Sequence, residues 1–100
     1  MKVTVKPFLL ICDAFGGKQE IEVSLDSGAT ISDLLSTLRG KYGLPDEIPL
    51  PRGSLKLFEG KEVKGMIVFK NGRNFKLLEG QETKLENGAV VALFPPLIGG

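Results

Sequence analysis

The 100-residue sequence contains no histidine and a single cysteine, Cys12. Without histidine, the chain lacks the commonest metal ligand and the commonest general base in proteins. One cysteine can form neither an internal disulfide nor a cysteine-built metal site. We therefore expect the chain to bind no metal and no cofactor, and to have no catalytic side chains of its own.

The sequence also lacks an excess of charge of either sign and any long apolar run. Thirteen basic residues stand against 12 acidic ones, a net charge of +1, so no overall field attracts nucleic acid. The longest apolar runs, residues 8–12 and 89–98, are shorter than the roughly 20 residues of a membrane-spanning helix. The N-terminal residues show no signal-peptide cleavage site. We expect a cytoplasmic protein that binds neither nucleic acid nor membranes.

Two segments alternate apolar and polar residues in the way that half-buried strands do. The first contains Val3 and Val5 and ends at Pro7, which has no backbone donor. The second covers residues 19–25 and is predicted to pair antiparallel with the first. Between them, residues 8–15 are apolar without alternation, so we interpret them as a bent connection folded onto the core and closed by two glycines.

One main helix is predicted after the second strand. Thr30, followed by Asp33, is typical of a helix N-cap with an acidic residue in the first turn. An apolar stripe at helical spacing predicts the face that packs on the sheet, namely Ile31, Leu34, Leu35, Leu38 and Tyr42. Gly40 or Gly43 is predicted to end the helix.

The second half of the chain predicts further strands. Prolines and glycines divide residues 44–65, where only residues 55–58 resemble a strand. An Asn-Gly turn joins residues 66–69 to residues 75–78 in a predicted hairpin. The continuous apolar run 89–94 predicts a central strand buried on both faces. We therefore predict an α+β fold in which a mixed sheet of about four to five strands packs on one main helix.

The C-terminal residues form the candidate site. Pro95 and Pro96 cannot extend the last strand's ladder and favour a stiff, extended exit, so we predict a domain over residues 1–94 and a flexible tail over residues 95–100. Leu97 and Ile98 can contact an apolar surface of a partner, and the two glycines that follow have no side chains and could enter a narrow channel of that partner. The predicted contact residues are Phe94, Pro95, Pro96, Leu97, Ile98 and Gly99, and the reacting group is the carboxylate of Gly100.

The chain resembles the MoaD/ThiS family of ubiquitin-like β-grasp sulfur carriers, and within it the small subunit of molybdopterin synthase. Four segments carry the resemblance: residues 8–17, the helix at residues 30–42, VFKNGRNF at 68–75 and VALFPPLIGG at 91–100. The last segment is the specific one, and the long 44–65 connection favours the molybdopterin members over the thiazole-pathway members.

This resemblance implies a β-grasp fold and a reaction at the C-terminus. An ATP-dependent activating enzyme would adenylate Gly100, and a sulfur donor would convert it to a thiocarboxylate. The tail would then insert into the large subunit of molybdopterin synthase, which would catalyse transfer of the sulfur to the pterin. ATP would be used by the partner and not bound by this chain. Phe8, Phe58, Phe69 and Phe94 are candidates for an apolar sheet face that meets these partners, although core packing explains such aromatic residues equally well. Contact with a partner is favoured for Phe94, because it borders the tail.

Other functions remain open at this point. A protein modifier of the ubiquitin or archaeal small-modifier kind would use the same activated tail to form an isopeptide bond from Gly100 to a lysine. A sulfur carrier for thiazole synthesis or tRNA thiolation would share the chemistry with a different acceptor. A passive β-grasp binding module would not need Gly100. Cys12, in an apolar neighbourhood without histidine, is interpreted as an inert thiol.

Overall fold

A computed structural model describes residues 1–96 and contains nine strands, two α-helices and two short 3-10 helices in that part of the chain. The elements are β1 (Lys2–Pro7), α1 (Leu9–Ala14), β2 (Ile21–Ser24), α2 (Ile31–Lys41), β3 (Glu47–Pro49), β4 (Ser54–Lys56), β5 (Phe58–Glu59), β6 (Glu62–Val63), β7 (Ile67–Lys70), β8 (Arg73–Asn74), 3-10 helices at Phe75–Leu77 and Gly80–Glu82, and β9 (Val90–Phe94).

The main sheet has five strands in the order β2-β1-β9-β7-β8. β1 and β9 are parallel, and the other neighbours in this sheet are antiparallel. β9 is therefore the central strand, as its apolar sequence predicts. The mixed five-stranded sheet with one long helix confirms the predicted α+β, β-grasp architecture.

Helix α2 covers the inner face of the sheet. The Thr30 hydroxyl accepts a hydrogen bond from the Asp33 N–H at 3.2 Å, and the Asp33 carboxylate accepts one from the Thr30 N–H at 2.9 Å, which forms a capping box. Four apolar residues of the predicted stripe are buried against the sheet: Ile31, Leu34, Leu35 and Leu38. Tyr42 was predicted to belong to this stripe but is 39% exposed, because it is the C-cap residue and lies beyond the last helical turn.

Residues 8–15 are not the bent connection that the sequence predicts, because helix α1 occupies most of them. Phe8 lies at its N-cap and Phe15 at its C-cap. Ile11 and Phe15 are buried in the core, which accounts for the apolar composition of the segment. With only six residues, α1 is too short to show a clear helical period.

The prediction of one strand-like piece in residues 44–65 was also wrong. This segment contains two small antiparallel hairpins, β3 with β4 and β5 with β6. The Leu57 N–H donates to the Asp46 carbonyl at 2.7 Å, which ties the second hairpin to the start of the first. Gly65 passes so close to the Lys56 carbonyl that a Cβ atom would lie 2.1 Å from that oxygen. Only glycine fits there.

The hairpin after residue 65 is shorter than predicted. β7 pairs with only two residues of β8, and the predicted second strand at 75–78 is mostly a 3-10 helix. The Asn74 side chain accepts a hydrogen bond from the Lys76 N–H at 2.9 Å and caps that helix. No helix in residues 1–96 is both long enough and apolar enough to span a bilayer.

Candidate functional site

The central strand β9 is not buried on both faces, contrary to the expectation from its apolar sequence. Val91 and Leu93 point into the core and are fully buried. Val90, Ala92 and Phe94 lie on the opposite face and are only half-buried. Because these three apolar side chains are only partly covered, they remain available for contact.

The neighbouring strand β7 extends the apolar surface. The antiparallel register sets Ile67 opposite Phe94 and Phe69 opposite Ala92, so the side chains of each pair lie on the same face. Ile67 and Phe69 are likewise half-buried. Two adjacent strands therefore present one continuous apolar strip, which ends beside the last residue of β9.

Three aromatic rings meet at the end of this strip. The Phe8 ring stacks on the Phe94 ring with centroids 4.3 Å apart and an interplanar angle of 4°. Phe69 packs edge-on against Phe94, at 5.5 Å and 80°. Such geometries are favourable for aromatic pairs. Phe94 is thus held between two rings at the point where the strand ends.

The turn into helix α1 fixes Phe8 in this position. Its N–H donates to the Leu93 carbonyl at 2.9 Å, and its carbonyl accepts from the Ile11 N–H at 3.1 Å. Phe8 therefore links the sheet to the first turn of α1. Both Phe8 and its neighbour Leu9 are exposed, at 38% and 68%.

Together these side chains line a shallow concavity of about 500 Å³, which we call the apolar face. Its lining residues are Phe8, Leu9, Ile67, Phe69, Gly72, Val90, Ala92, Phe94 and Pro95. A second concavity of about 530 Å³ adjoins it, shares Phe8 and Leu9, and is lined further by Lys6, Pro7, Cys12, Gln19 and Glu20. Cys12 is half-buried, and its thiol donates to the Lys18 carbonyl at 3.3 Å.

The other half of the same sheet face is polar, and we call it the charged half. On β1 and β2 the outward residues include Lys2 and Glu22, whose charged atoms are 3.1 Å apart, and Lys6, which lies 3.8 Å from Glu20. All four side chains are largely exposed. The apolar face is therefore a bounded patch.

The predicted site residues fall into two groups. Phe94 lies on the apolar face, where Pro95 is buried at its edge and Pro96 is half-buried. Leu97, Ile98, Gly99 and Gly100 lie outside the described residues, so their predicted roles, and the predicted tail from residue 95, stay predictions.

Of the four aromatic candidates for the apolar face, Phe58 does not lie on it, and core packing, the alternative that the sequence left open, applies to this residue. Phe58 is 3% exposed in the core, and the Arg39 guanidinium lies 4.3 Å from its ring centroid. The sequence analysis did not identify four further residues of the apolar face: Leu9, Ile67, Val90 and Ala92. Strand periodicity could have found the last three, because they alternate with the buried residues Val68, Val91 and Leu93 along β7 and β9.

Comparison of the sequence with known proteins finds a matching family and a close relative. The model of the ThiS family matches residues 12–100. Small archaeal modifier protein 3 of Haloferax volcanii is 37% identical over 86 residues, which cover 84% of each chain.

Two solved structures extend the comparison. SAMP1 from Haloferax volcanii superposes with a TM-score of 0.77 at 24% identity over the whole of both chains, and shares the fold. The putative molybdopterin converting factor, subunit 1, from Pyrococcus furiosus gives a TM-score of 0.70 at 26% identity, covering 96% of this chain and 98% of that one.

Proposed function

The chain belongs to the ThiS family, and from that premise we propose that it is a sulfur carrier whose reacting group is the carboxylate of Gly100. A carboxylate oxygen attacks the α-phosphorus of ATP and releases pyrophosphate, which leaves an acyl adenylate. A sulfur nucleophile then displaces AMP and leaves a thiocarboxylate. Adenylation is needed because a free carboxylate has no good leaving group.

The observation that carries this proposal is the continuity between the apolar face and the end of β9. Phe94 lies on the apolar face, and Gly100, whose carboxylate is the proposed reacting group, follows it by six residues. Exposed apolar patches rimmed by polar residues mark protein interaction sites. A partner that binds the apolar face therefore has the reacting end of the chain within reach.

The proposed partners supply what this chain does not have. With no histidine, the chain carries no obvious general base, so adenylation is assigned to an ATP-dependent activating enzyme that binds the ATP. The chain itself then needs no bound cofactor. We propose that adenylation and sulfur transfer take place in the cytoplasm, where ATP is abundant.

The proposed acceptor is a precursor of the molybdenum or tungsten cofactor. In this proposal the chain acts as the small subunit of molybdopterin synthase, and the large subunit receives the tail and catalyses the transfer. The similarity to a protein described as a putative molybdopterin converting factor, subunit 1, supports this choice. The PPLIGG ending from residue 95 supports the tail chemistry.

A second candidate function is protein modification, and the 37% identity to small archaeal modifier protein 3 favours it. In that reaction a lysine Nζ attacks the activated carbonyl carbon of Gly100, AMP leaves, and an isopeptide bond forms. Both functions pass through the same adenylate. They differ in the nucleophile, sulfur or lysine, that displaces AMP.

Intact-mass spectrometry tests the proposal. The chain is incubated with an activating enzyme, ATP and sulfide, and a variant lacking Gly100 serves as the control. We expect a mass gain equal to the replacement of one oxygen by sulfur in the full chain, and none in the control. The thiocarboxylate form is then mixed with a molybdopterin synthase large subunit and the pterin precursor, and loss of the added sulfur is expected.

The alternatives give different products. Covalent adducts between Gly100 and lysines of other proteins, together with no transfer of sulfur to the pterin precursor, would favour the modifier function. A chain that forms neither product, with an enzyme shown to be active on another carrier, would contradict both functions and leave a passive binding module.

A further inference from the structure

Leu9 combines a strained backbone conformation with an exposed apolar side chain. Its φ is +53°, in the left-handed region that side-chain-bearing residues rarely adopt. Its side chain is also 68% exposed, so burial of its apolar surface contributes little to the stability of the fold. A leucine in this position therefore lacks a folding explanation in the described chain.

Other positive-φ positions of the described chain show what residues suit this backbone. Nine of them are glycines, and the one other non-glycine residue is Asn71 in the Asn-Gly turn before β8. Glycine and asparagine are the residues that tolerate the left-handed region best. Leu9 departs from this pattern, and strained residues of this kind cluster at binding sites.

The position of Leu9 connects it to the reacting end of the chain. Leu9 follows Phe8, whose ring stacks on Phe94, and it lines both the apolar face and the adjoining concavity. Its left-handed backbone starts helix α1 two residues after the end of strand β1, next to the end of β9. A partner that covers Phe94 in order to reach the C-terminus must also cover Leu9.

We propose that Leu9 is a specificity-determining anchor that enters an apolar pocket of the activating enzyme. This inference rests on the proposed function and assigns to one residue a role in partner recognition. Because the Leu9 side chain is 68% exposed, it already lies at the surface of the free protein and can be contacted without rearrangement of the fold. The anchor contributes to binding before adenylation and has no role in the chemical step.

The test compares three variants in ATP–pyrophosphate exchange with the activating enzyme of the source organism. Leu9→Asn keeps a residue suited to positive φ and removes the apolar group. Leu9→Met keeps an apolar side chain of similar volume. Leu77→Asn is the matched control, because Leu77 is 80% exposed and is not among the residues lining the apolar face.

For Leu9→Asn we expect the KM for this chain to rise about tenfold with kcat within about twofold, the signature of lost ground-state binding. Leu9→Met and Leu77→Asn should stay within about threefold of the wild type, the spread expected for conservative or surface changes. Urea unfolding should show Leu9→Asn to be at least as stable as the wild type, because the strain is relieved.

An unchanged KM for Leu9→Asn, or a loss of stability in that variant, would overturn the role of Leu9 while leaving the proposed function intact. If the wild-type chain itself supports no exchange with an enzyme that is active on another carrier, the proposed function fails, and the anchor fails with it. Exchange by the wild type therefore separates the two outcomes.

Discussion

The exposed face of the main sheet has two halves that differ sharply although they share one backbone architecture. On β1 and β2 the outward side chains are charged and form ion pairs such as Lys2 with Glu22. On β9 and β7 they are apolar and include Phe94 and Phe69, whose rings pack together, and the Phe8 ring stacks on Phe94 from the start of α1. The inner face of both halves is equally buried, so folding does not require this difference.

The comparison shows what each half does. β2 is an edge strand, and charged side chains on an edge strand discourage pairing with other chains. β9 is central and its backbone is already paired on both sides, so an apolar surface there invites side-chain contact without strand pairing. The apolar half is thus suited to a specific partner, and the charged half to solvent.

The largest effect should come from placing a charge in the apolar half. In Phe69→Glu the carboxylate would be buried against the activating enzyme without a partner, and the edge-on contact with Phe94 would be lost. We expect binding to weaken about 100-fold, measured by titration calorimetry. Circular dichroism of the variant should show a folded chain.

The matched control places the same charge in the charged half. Ser24 is exposed on β2 and faces Lys2 in the register, so Ser24→Glu adds a favourable neighbour. Binding to the enzyme should change by less than about threefold, as for a substitution outside an interface. Equal losses from the two variants would mean that the halves do not differ in function.

A smaller effect is expected from Phe8→Ala, which removes the ring stacked on Phe94. The free energy of unfolding should fall by about 1 kcal/mol, the value of an aromatic pair, and binding should weaken about tenfold. Urea denaturation and calorimetry measure the two quantities. Phe8→Tyr keeps the stacked ring and should restore both; a Phe8→Tyr variant as weak as Phe8→Ala would argue against the stack.

The smallest effect belongs to the ion pairs of the charged half. A double-mutant cycle with Lys2→Ala and Glu22→Ala should give a coupling energy of about 0.2–1 kcal/mol that decreases with salt, because both side chains are exposed. Thermal unfolding of the four proteins gives the coupling. A salt-independent coupling above about 2 kcal/mol would contradict a purely solvated surface.

The sequence predicted the parts of the fold that depend on local pattern. The capping pair at Thr30 and Asp33 located the start of α2, and the apolar run 89–94 located the central strand. The same run led to the wrong prediction that β9 is buried on both faces, because an apolar residue that faces a partner has the same composition as one that faces the core. The sequence therefore identified Phe8, Phe69, Phe94 and Pro95 as candidates for the site, but it missed the neighbouring side chains Leu9, Ile67, Val90 and Ala92.

The missed elements depend on contacts between distant residues. The hairpins in residues 44–65 have strands of two or three residues, and they are fixed by bonds such as that from Leu57 to Asp46. The positive φ of Leu9 is likewise set by its surroundings, since leucine has no preference for it. Patterns of period 2 or 3.6 carry no information about such features.

The central claim is that the apolar face binds the activating enzyme while the Gly100 carboxylate reacts. A chain lacking Gly99 and Gly100 separates these roles in one comparison of enzyme binding and adenylate formation. The account predicts that this chain binds with a Kd close to that of the full chain, because the apolar face is intact, and forms no productive adenylate. Adenylate and thiocarboxylate formed at the wild-type rate without the two glycines would contradict it.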